Sequence, residues 1–401
     1  MRKLVQTGFS RRSILRGAGG VAALGAMQTL PWRRVRAATP IKVGLMLPYS
    51  GTYAKLGENI TFAIELLVEQ KAGMLGGRPI EFVKLDDESD PSKAPENTDR
   101  LVNRDEVDCI IGTVHSGVLM GMVQVIRETG TLTICPNAGA GAATGKLCAP
   151  NFFRTSFSNW QPAYGAGKAL GNSGVKKAAF ITWDYAAGNE AAEGFKKGLE
   201  DNGGTLVQTL TVPFPETNWQ PLLAQIPSLG VEAVGAFFAG GGAVQFVKDY
   251  AAAGLKDQIP LSGSGFLTEG TLEAQGEAAE GIRTSLHYGD GIDNPVNNDF
   301  RVAFVEKTGR EADVYAVQGY DAAQLLAIGL ESVNGDTEAQ DEMISAMAAA
   351  TINSPRGTFT LSISHNPVQN FYLREAKGGL NQVIGIAAEN LNDPGTGCEM
   401  G

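Results

Sequence analysis

The stretch from Val107 to Gly145 limits the possible folds of this chain more than any other. It reads VDCIIGTVHSGVLMGMVQVIRETGTLTICPNAGAGAATG. Val107 to Ile111 and Thr131 to Cys135 are short apolar runs typical of buried strands, and Val118 to Thr129 has apolar residues at helical spacing. Two strands joined by a helix are expected to be parallel. The stretch therefore predicts a strand–helix–strand unit of an α/β protein.

A polar turn follows each of these two strands. The first is His115-Ser116-Gly117 and the second is Asn137-Ala138-Gly139. Because both turns follow the carboxyl ends of parallel strands, they lie at one edge of the sheet, where open α/β sheets bind ligands. Small residues with backbone N–H groups at two neighbouring strand ends favour a small anion as the ligand.

The rest of the chain repeats this alternation twice. Ile41 to Leu47 is a continuous apolar run of the kind buried on both faces of a sheet, and Ala54 to Lys71 carries a helical apolar stripe. A second alternating set begins near Asn159. Beyond Ile282 come helices and then short strands between turns, which predict an antiparallel meander. We expect an α/β protein with two doubly wound, Rossmann-like lobes, and because the late helices must complete an earlier lobe, a multi-strand hinge joins them.

Charge separates the first 38 residues from the remainder. They hold eight Lys or Arg and no acid, and without them 25 basic residues face 43 acidic ones, so nucleic acid is an unsuitable partner. Ser10-Arg11-Arg12 begins a segment similar to a twin-arginine export signal, followed by a short Gly/Ala-rich stretch. We interpret residues 1–38 as a signal peptide for the periplasm; an inner-membrane anchor or basic tail is the alternative.

The cysteines and histidines indicate no metal site. Cys109 and Cys135 fall inside predicted strands, whereas Cys148 and Cys398 lie in a loop and in the C-terminal tail. An oxidising compartment would permit a disulfide between Cys148 and Cys398, although spacing alone does not decide the pairing. There is no CxxC or HExxH motif, and we expect neither a metal nor a cofactor.

Several stretches, taken in order, resemble the solute-binding proteins of branched-chain amino-acid ABC importers, the leucine/isoleucine/valine-binding family. They are IKVGLMLPYSGTYAKLGENITFAIELL, IIGTVHSG, TICPNAGA, ITWDYAAGNE, FFAGGGA and LSGSGF. The resemblance implies a type I periplasmic binding protein, a two-lobed receptor that closes about a hinge. It assigns 41–156 plus 287–352 to the N-terminal lobe, 157–286 plus 353–390 to the C-terminal lobe, and 391–401 to a tail.

The resemblance also implies a set of ligand-binding residues. A carboxylate would be held by the first turn at Ser116, with His115 beside it, and by the second turn. The cleft would be lined by an aromatic at Tyr315, by Phe266 in place of a small residue, and by Tyr185. Gly241, Leu56 and Ala187 stand where the family has tyrosines. The predicted ligand-binding set is His115, Ser116, Asn137, Ala138, Gly139, Tyr185, Gly241, Phe266 and Tyr315.

One departure from the family pattern bears on the ligand. The acidic residue that pairs the ligand ammonium falls at Gly265, so that partner is missing. An ammonium group buried without a countercharge costs several kcal/mol. A zwitterion would then need Asp184, Asp321 or another acid. We expect a small carboxylate with an apolar or aromatic body, with amino acids as the family default and Trp160 as a further aromatic candidate.

Individual residues also have structural interpretations. His115 could donate to the carboxylate, with its pKa raised by that anion, or could fill the space of the family disulfide, whose positions are Ser89 and His115 here. Asn137 could orient the ligand or form the turn. Tyr185 could face the cleft or solvent. Gly241 could permit backbone approach to the ligand or only a tight turn.

Other functional classes have less support. Gly139, Gly141 and Gly145 resemble a dinucleotide loop only loosely, because the last spacing is one residue too long. No GxSxG or Walker motif occurs at usable spacing, so we do not expect an enzyme. The predicted function is that of a monomeric receptor delivering a small carboxylate to an inner-membrane ABC permease. A sensor for a membrane signalling partner, or a receptor for an amide or urea-type ligand, is the alternative.

Overall fold

The structure is a computed structural model and describes residues 39–400. The predicted export segment, residues 1–38, lies outside the described residues. Between residues 39 and 400 no helix is both long enough and apolar enough to cross a membrane. The same part of the chain holds no group of three or more His, Cys, Asp or Glu placed to bind a metal ion.

The first lobe is built on a six-stranded sheet in the order β2-β3-β1-β4-β5-β6. Strands β3, β1, β4, β5 and β6 run parallel, so the two predicted turns leave the sheet at one edge. The short β2 pairs antiparallel with β3. The strands are β1 (Ile41–Leu47), β2 (Met74–Leu75), β3 (Arg78–Asp86), β4 (Cys109–Gly112), β5 (Leu132–Cys135) and β6 (Phe152–Arg154).

The second lobe is built on a nine-stranded sheet in the order β12-β13-β14-β11-β10-β9-β7-β8, with β15 also paired to β14. Strands β7 to β11 are parallel, and β14 joins them antiparallel to β11. The strands are β7 (Lys177–Asp184), β8 (Thr205–Pro213), β9 (Ala233–Phe237), β10 (Leu261–Ser264), β11 (Arg283–Leu286), β12 (Thr351–Ile352), β13 (Phe359–Leu361), β14 (Pro367–Lys377) and β15 (Leu380–Leu391).

Helices cover both sheets. They are α1 (Ala54–Gln70), α2 (Ala94–Asp99), α3 (Ser116–Thr129), α4 (Trp160–Asn172), α5 (Ala186–Glu200), α6 (Gln220–Leu223), α7 (Gly240–Ala252), α8 (Leu272–Gln275), α9 (Pro295–Thr308), α10 (Val314–Ser332) and α11 (Gln340–Ala348).

A late helix completes the first lobe, as the sequence predicted. Helix α10 is buried along most of its length and packs on α1. The two helices approach closely at Gly319, where an added Cβ would lie 2.3 Å from the Ile60 carbonyl oxygen. The chain therefore passes between the lobes more than once, and the two-lobed α/β fold is confirmed. The exact lobe boundaries given above stay a prediction.

The structure corrects the local description of two turns. Helix α3 begins at Ser116, so His115 is its N-cap residue rather than the start of a three-residue turn. The turn that carries Tyr185 is likewise short, because helix α5 begins at Ala186, directly after Tyr185. Strands β6 and β11 were not predicted from the sequence.

Candidate ligand-binding site

His115 lies directly before helix α3 and caps its N-terminus. Its Nδ1 accepts hydrogen bonds from the backbone N–H groups of Gly117 (3.0 Å) and Val118 (3.3 Å). The single proton of the neutral ring is therefore on Nε2. Burial lowers the pKa of His115 to about 4, which is opposite to the shift expected from a neighbouring anion. His115 is thus a neutral residue at pH 7.

The same ring is part of an aromatic cluster. It stacks on Tyr185, with ring centroids 4.8 Å apart, and lies 4.8 Å from the ring of Phe214. Its Nε2 is buried and has no hydrogen-bond partner among residues 39–400. The structural interpretation of His115 therefore has physical support as a cap and a packing element, and a donor N–H remains unused.

Ser116 presents a hydroxyl group with a free proton. Its Oγ accepts a hydrogen bond of 3.1 Å from the side-chain amide of Asn159. The same Asn159 nitrogen also donates to Glu190 at 2.8 Å. Because Ser116 Oγ acts as the acceptor, its own proton can be donated to a ligand.

The second turn contributes one side chain. The Ala138 backbone N–H already donates to the Thr113 carbonyl oxygen at 2.9 Å, so it is not free to hold a carboxylate. Gly139 faces Asn159, whose side-chain oxygen would lie 2.4 Å from an added Cβ. Only the Asn137 side chain reaches the site, where its Nδ2 donates to Oε1 of Gln318 at 2.6 Å.

These elements line a cavity between the lobes with about 300 Å³ of empty space, a volume that includes space open to solvent. None of the lining residues is charged. They are Tyr53, Leu56, Val114, Ser116, Asn137 and Phe157 from the first lobe and its hinge, with Tyr315 of α10, and Tyr185, Ala187, Phe237, Ala239 and Phe266 from the second lobe.

Three tyrosine hydroxyl groups add neutral donors. The hydroxyls of Tyr53 and Tyr185 lie 3.2 Å apart and join the lobes. The Tyr315 hydroxyl is buried and has no partner in the described part of the chain. Burial raises the pKa of all three groups. The tyrosines are therefore protonated at pH 7 and can donate to an anion.

The structure explains why no acid stands at position 265. An added Cβ on Gly265 would lie 2.4 Å from Leu286 Cβ and 2.5 Å from Arg374 Nη2, so neighbouring side chains already fill that space. Glu269 is nearby, but one of its oxygens accepts from Arg374 at 2.5 Å and the other from the Val314 N–H at 2.8 Å. Its charge is thus already compensated.

Several sequence candidates lie outside the cavity wall. Gly241 is exposed, and Ala239 lines the cavity instead, because α7 begins at Gly240 and carries Gly241 outward. Asp184 is exposed, and Asp321 is buried in an ion pair with Arg356 at 3.3 Å. Trp160 stacks on a tyrosine of its own helix. Neither candidate acid faces the ligand space.

Sequence reasoning missed five lining residues: Tyr53, Val114, Phe157, Phe237 and Ala239. Tyr53 and Val114 lie in loops that follow strands, so position after a strand was a usable signal. Phe237 ends β9 and Ala239 follows it, so the same signal applied there, whereas Phe157 follows β6, a strand that was not predicted. Away from the site, the structure places Cys148 and Cys398 in a disulfide bond.

The arrangement of two α/β lobes around a closed, uncharged cavity agrees with the comparisons with known proteins. The family described as periplasmic binding protein matches residues 40–380. The chain belongs to the periplasmic binding protein family. This periplasmic binding protein is also 29% identical to the Leu/Ile/Val-binding protein homolog 6 of Brucella melitensis biotype 1, over 84% of this chain and 87% of that protein. The family resemblance read from the sequence is confirmed.

Two solved structures of solute-binding proteins share this fold. One is the benzoate complex of an ABC transporter solute-binding protein from R. palustris, 52% identical with a TM-score of 0.88, covering 90% of this chain and 99% of that chain. The other is the complex of a solute-binding protein from Rhodopseudomonas palustris BisB5 with 3,4-dihydroxybenzoic acid, 28% identical with a TM-score of 0.83, covering 89% and 99%.

Proposed function

We propose that this periplasmic binding protein is the substrate-binding component of an ABC importer and that it takes up aromatic carboxylates of the benzoate class. The observation that carries the proposal is the composition of the cavity wall, which joins aromatic rings to neutral hydrogen-bond donors and has no charged side chain. A carboxylate needs donors, and a benzene ring needs apolar walls. Both requirements are met in one enclosed space.

The same wall argues against an α-amino acid as the ligand. The ammonium group would enter a buried space without a free carboxylate, at a cost of several kcal/mol. Glu269 is already paired with Arg374, and the space beside Gly265 is filled. A benzoate-type ligand has no ammonium group and avoids this cost.

We assign the carboxylate to the donors of the first lobe. In this proposal Ser116 donates its free hydroxyl proton and Asn137 donates from its amide, with the Nε2–H of His115 as a further candidate. The rings of Phe157 and Phe266, whose centroids lie 4.7 Å apart, pack against the ligand ring. The 52% identity to the R. palustris solute-binding protein solved with benzoate supports a ligand of this class.

The remaining parts of the proposal concern export and the membrane partner. The twin-arginine-like segment supports export to the periplasm, where the protein would act as a monomeric receptor rather than an enzyme. Ligand that bridges both lobes favours the closed population, and this closed form would dock on an inner-membrane permease. The Tyr53–Tyr185 contact between lobes supports a closed form of this kind.

A ligand panel tests the proposal. Thermal melting and calorimetry are measured with benzoate, 4-hydroxybenzoate, phenylacetate, benzamide, phenylalanine and leucine. A ligand present at 100 times its Kd stabilises a protein by about 2.7 kcal/mol, so benzoate should give a clear rise in Tm. Benzamide, which has the same ring without the charge, is the matched control and should bind more weakly. Tighter binding of leucine than of benzoate would refute the proposal.

A further inference from the structure

A row of three buried side chains, Asn137, Gln318 and His287, runs from the cavity into the protein interior. Asn137 lines the cavity. In the structure its Nδ2 donates to Oε1 of Gln318 at 2.6 Å, and Nε2 of Gln318 lies 3.1 Å from Nε2 of His287. Gln318 is on α10 and His287 directly follows β11. All three side chains are buried. These three side chains therefore connect the ligand space to His287, which no ligand can reach.

The hydrogen bonds among these three side chains can run in either of two directions. In one, which is the placement of the amides in the structure, Asn137 donates to Gln318, Gln318 donates to His287, and the Asn137 oxygen faces the cavity. A half-turn of both amides keeps the heavy atoms in place and reverses every donor and acceptor. In the reversed direction His287 donates to Gln318, Gln318 donates to Asn137, and the Asn137 Nδ2–H faces the cavity.

The surroundings of His287 distinguish the two directions. Burial and the nearby Arg356 and Arg374 hold the pKa of His287 well below its usual value, so the ring carries one proton. Its Nδ1 is buried without a hydrogen-bond partner among the described residues. The ring lies between Phe157 and Phe371, with centroid distances of 5.7 and 5.8 Å.

The position of that one proton then sets the direction. If Nε2 accepts from Gln318, the proton must be on Nδ1, where it would be a buried N–H group without an acceptor, a rare and costly arrangement. If Nε2 carries the proton and donates to Gln318, Nδ1 is left with a bare lone pair, which costs less. The neighbouring cations also favour a lone pair over a second N–H group.

We propose that His287 is a positioning residue that acts through Gln318 to hold the Asn137 amide with its Nδ2–H directed into the cavity. The inference rests on the proposed function, because a donor at this place suits a ligand carboxylate. The inference also explains why the Asn137 amide, which could direct either Oδ1 or Nδ2 at the ligand, directs only Nδ2. Asn137 would thereby select acids over ligands whose own donors point at the same place.

The tautomer of His287 tests the direction without any ligand. The sequence has only three histidines, and in ¹⁵N-histidine-labelled protein the long-range ¹H–¹⁵N correlation spectrum reports which ring nitrogen is protonated. His115 and His365 are internal standards: Nδ1 of His115 accepts backbone N–H bonds, whereas Nδ1 of His365 lies 3.0 Å from the Phe152 carbonyl oxygen and must donate to it. We expect His287 to match His115. A His287 spectrum that matches His365 would overturn the inference.

A Gln318→Met variant tests the consequence for the ligand. Methionine has a similar volume but makes neither hydrogen bond, so the Asn137 amide becomes free to turn. We expect benzoate to bind about fivefold to tenfold more weakly, the effect of one hydrogen bond, while benzamide changes less. Stronger benzoate binding would overturn the inference, because it would mean that Gln318 had held the Asn137 oxygen towards the ligand.

Failure of this inference and failure of the proposed function give different results. If the unaltered protein binds benzoate and His287 carries its proton on Nδ1, the proposed role of His287 is wrong and the proposed function stands. If benzoate does not bind and the proton is on Nε2, the proposed role of His287 stands and the ligand class is wrong. Should Gln318→Met fail to fold, the tautomer of the unaltered protein still decides.

Discussion

Replacing Ser116 with alanine removes one hydroxyl group from the cavity wall. Ser116 Oγ accepts from Asn159 at 3.1 Å, and the same Asn159 nitrogen donates its second proton to Glu190 at 2.8 Å. The substitution therefore leaves one of the two Asn159 N–H groups without an acceptor, while the other stays bonded to Glu190. We expect the free energy of unfolding of the ligand-free protein to fall by about 1–3 kcal/mol, the cost of a buried donor without a partner.

The substitution should also weaken binding. A hydrogen bond to a charged acceptor contributes about 1.5–3 kcal/mol, and each 1.4 kcal/mol is a factor of ten, so benzoate affinity should fall by about 10- to 150-fold. Calorimetric titration measures this directly. Benzamide affinity should fall less, because its carbonyl oxygen is uncharged.

A matched control is available in the second lobe. Ser285 is buried, lies outside the cavity wall, and its hydroxyl has no partner among residues 39–400. Ser285→Ala should leave benzoate affinity unchanged. If Ser116→Ala binds benzoate as tightly as this control does, the carboxylate is not held by the first turn and its placement above is wrong.

Two further predictions concern groups whose polar atoms are buried without partners. Tyr315→Phe should raise the Tm of the ligand-free protein, since an unsatisfied buried hydroxyl costs about 1–3 kcal/mol, and should weaken benzoate binding. Tyr250→Phe is its control, because the Tyr250 hydroxyl donates to the Ile259 carbonyl oxygen at 2.8 Å and its loss should lower Tm; equal losses in both variants would contradict the prediction. For His115, a pKa lowered from 6.5 to about 4 means that its stabilising effect is present above pH 6.5 and is lost as the pH falls towards 4. His115→Asn keeps a helix-capping oxygen but has no imidazole to titrate. Between pH 6.5 and 4 its free energy of unfolding should therefore fall by on the order of 3 kcal/mol less than that of the unaltered protein. Identical pH profiles of the two proteins would show that the ring is not held neutral.

Much of the architecture was predictable because it depends on local pattern. The apolar runs of β1, β4 and β5 and the helical stripe of α1 are visible in the sequence, and parallel pairing follows from the intervening helices. That pairing brings Ser116 and Asn137 to one sheet edge. A site at this edge follows from sheet geometry and needs no information about distant contacts.

Distant contacts decided the parts of the site that pattern could not supply. The space beside Gly265 is filled by Arg374, which arrives on β14 because that strand pairs antiparallel with β11. The tyrosine pair of Tyr53 and Tyr185 exists only where the two lobes meet. None of these neighbours is close in sequence, so no local sequence pattern predicts these contacts.

The sequence by itself determined the fold class, the strand ends that carry the site, and the absence of an acid at position 265. Only the tertiary structure decided which side chains form the cavity wall, that Gly241 turns away from it, and that His115 is neutral. The physical reason is that periodicity specifies which face of an element is buried, whereas burial, pKa and hydrogen-bond direction depend on what another element brings against that face.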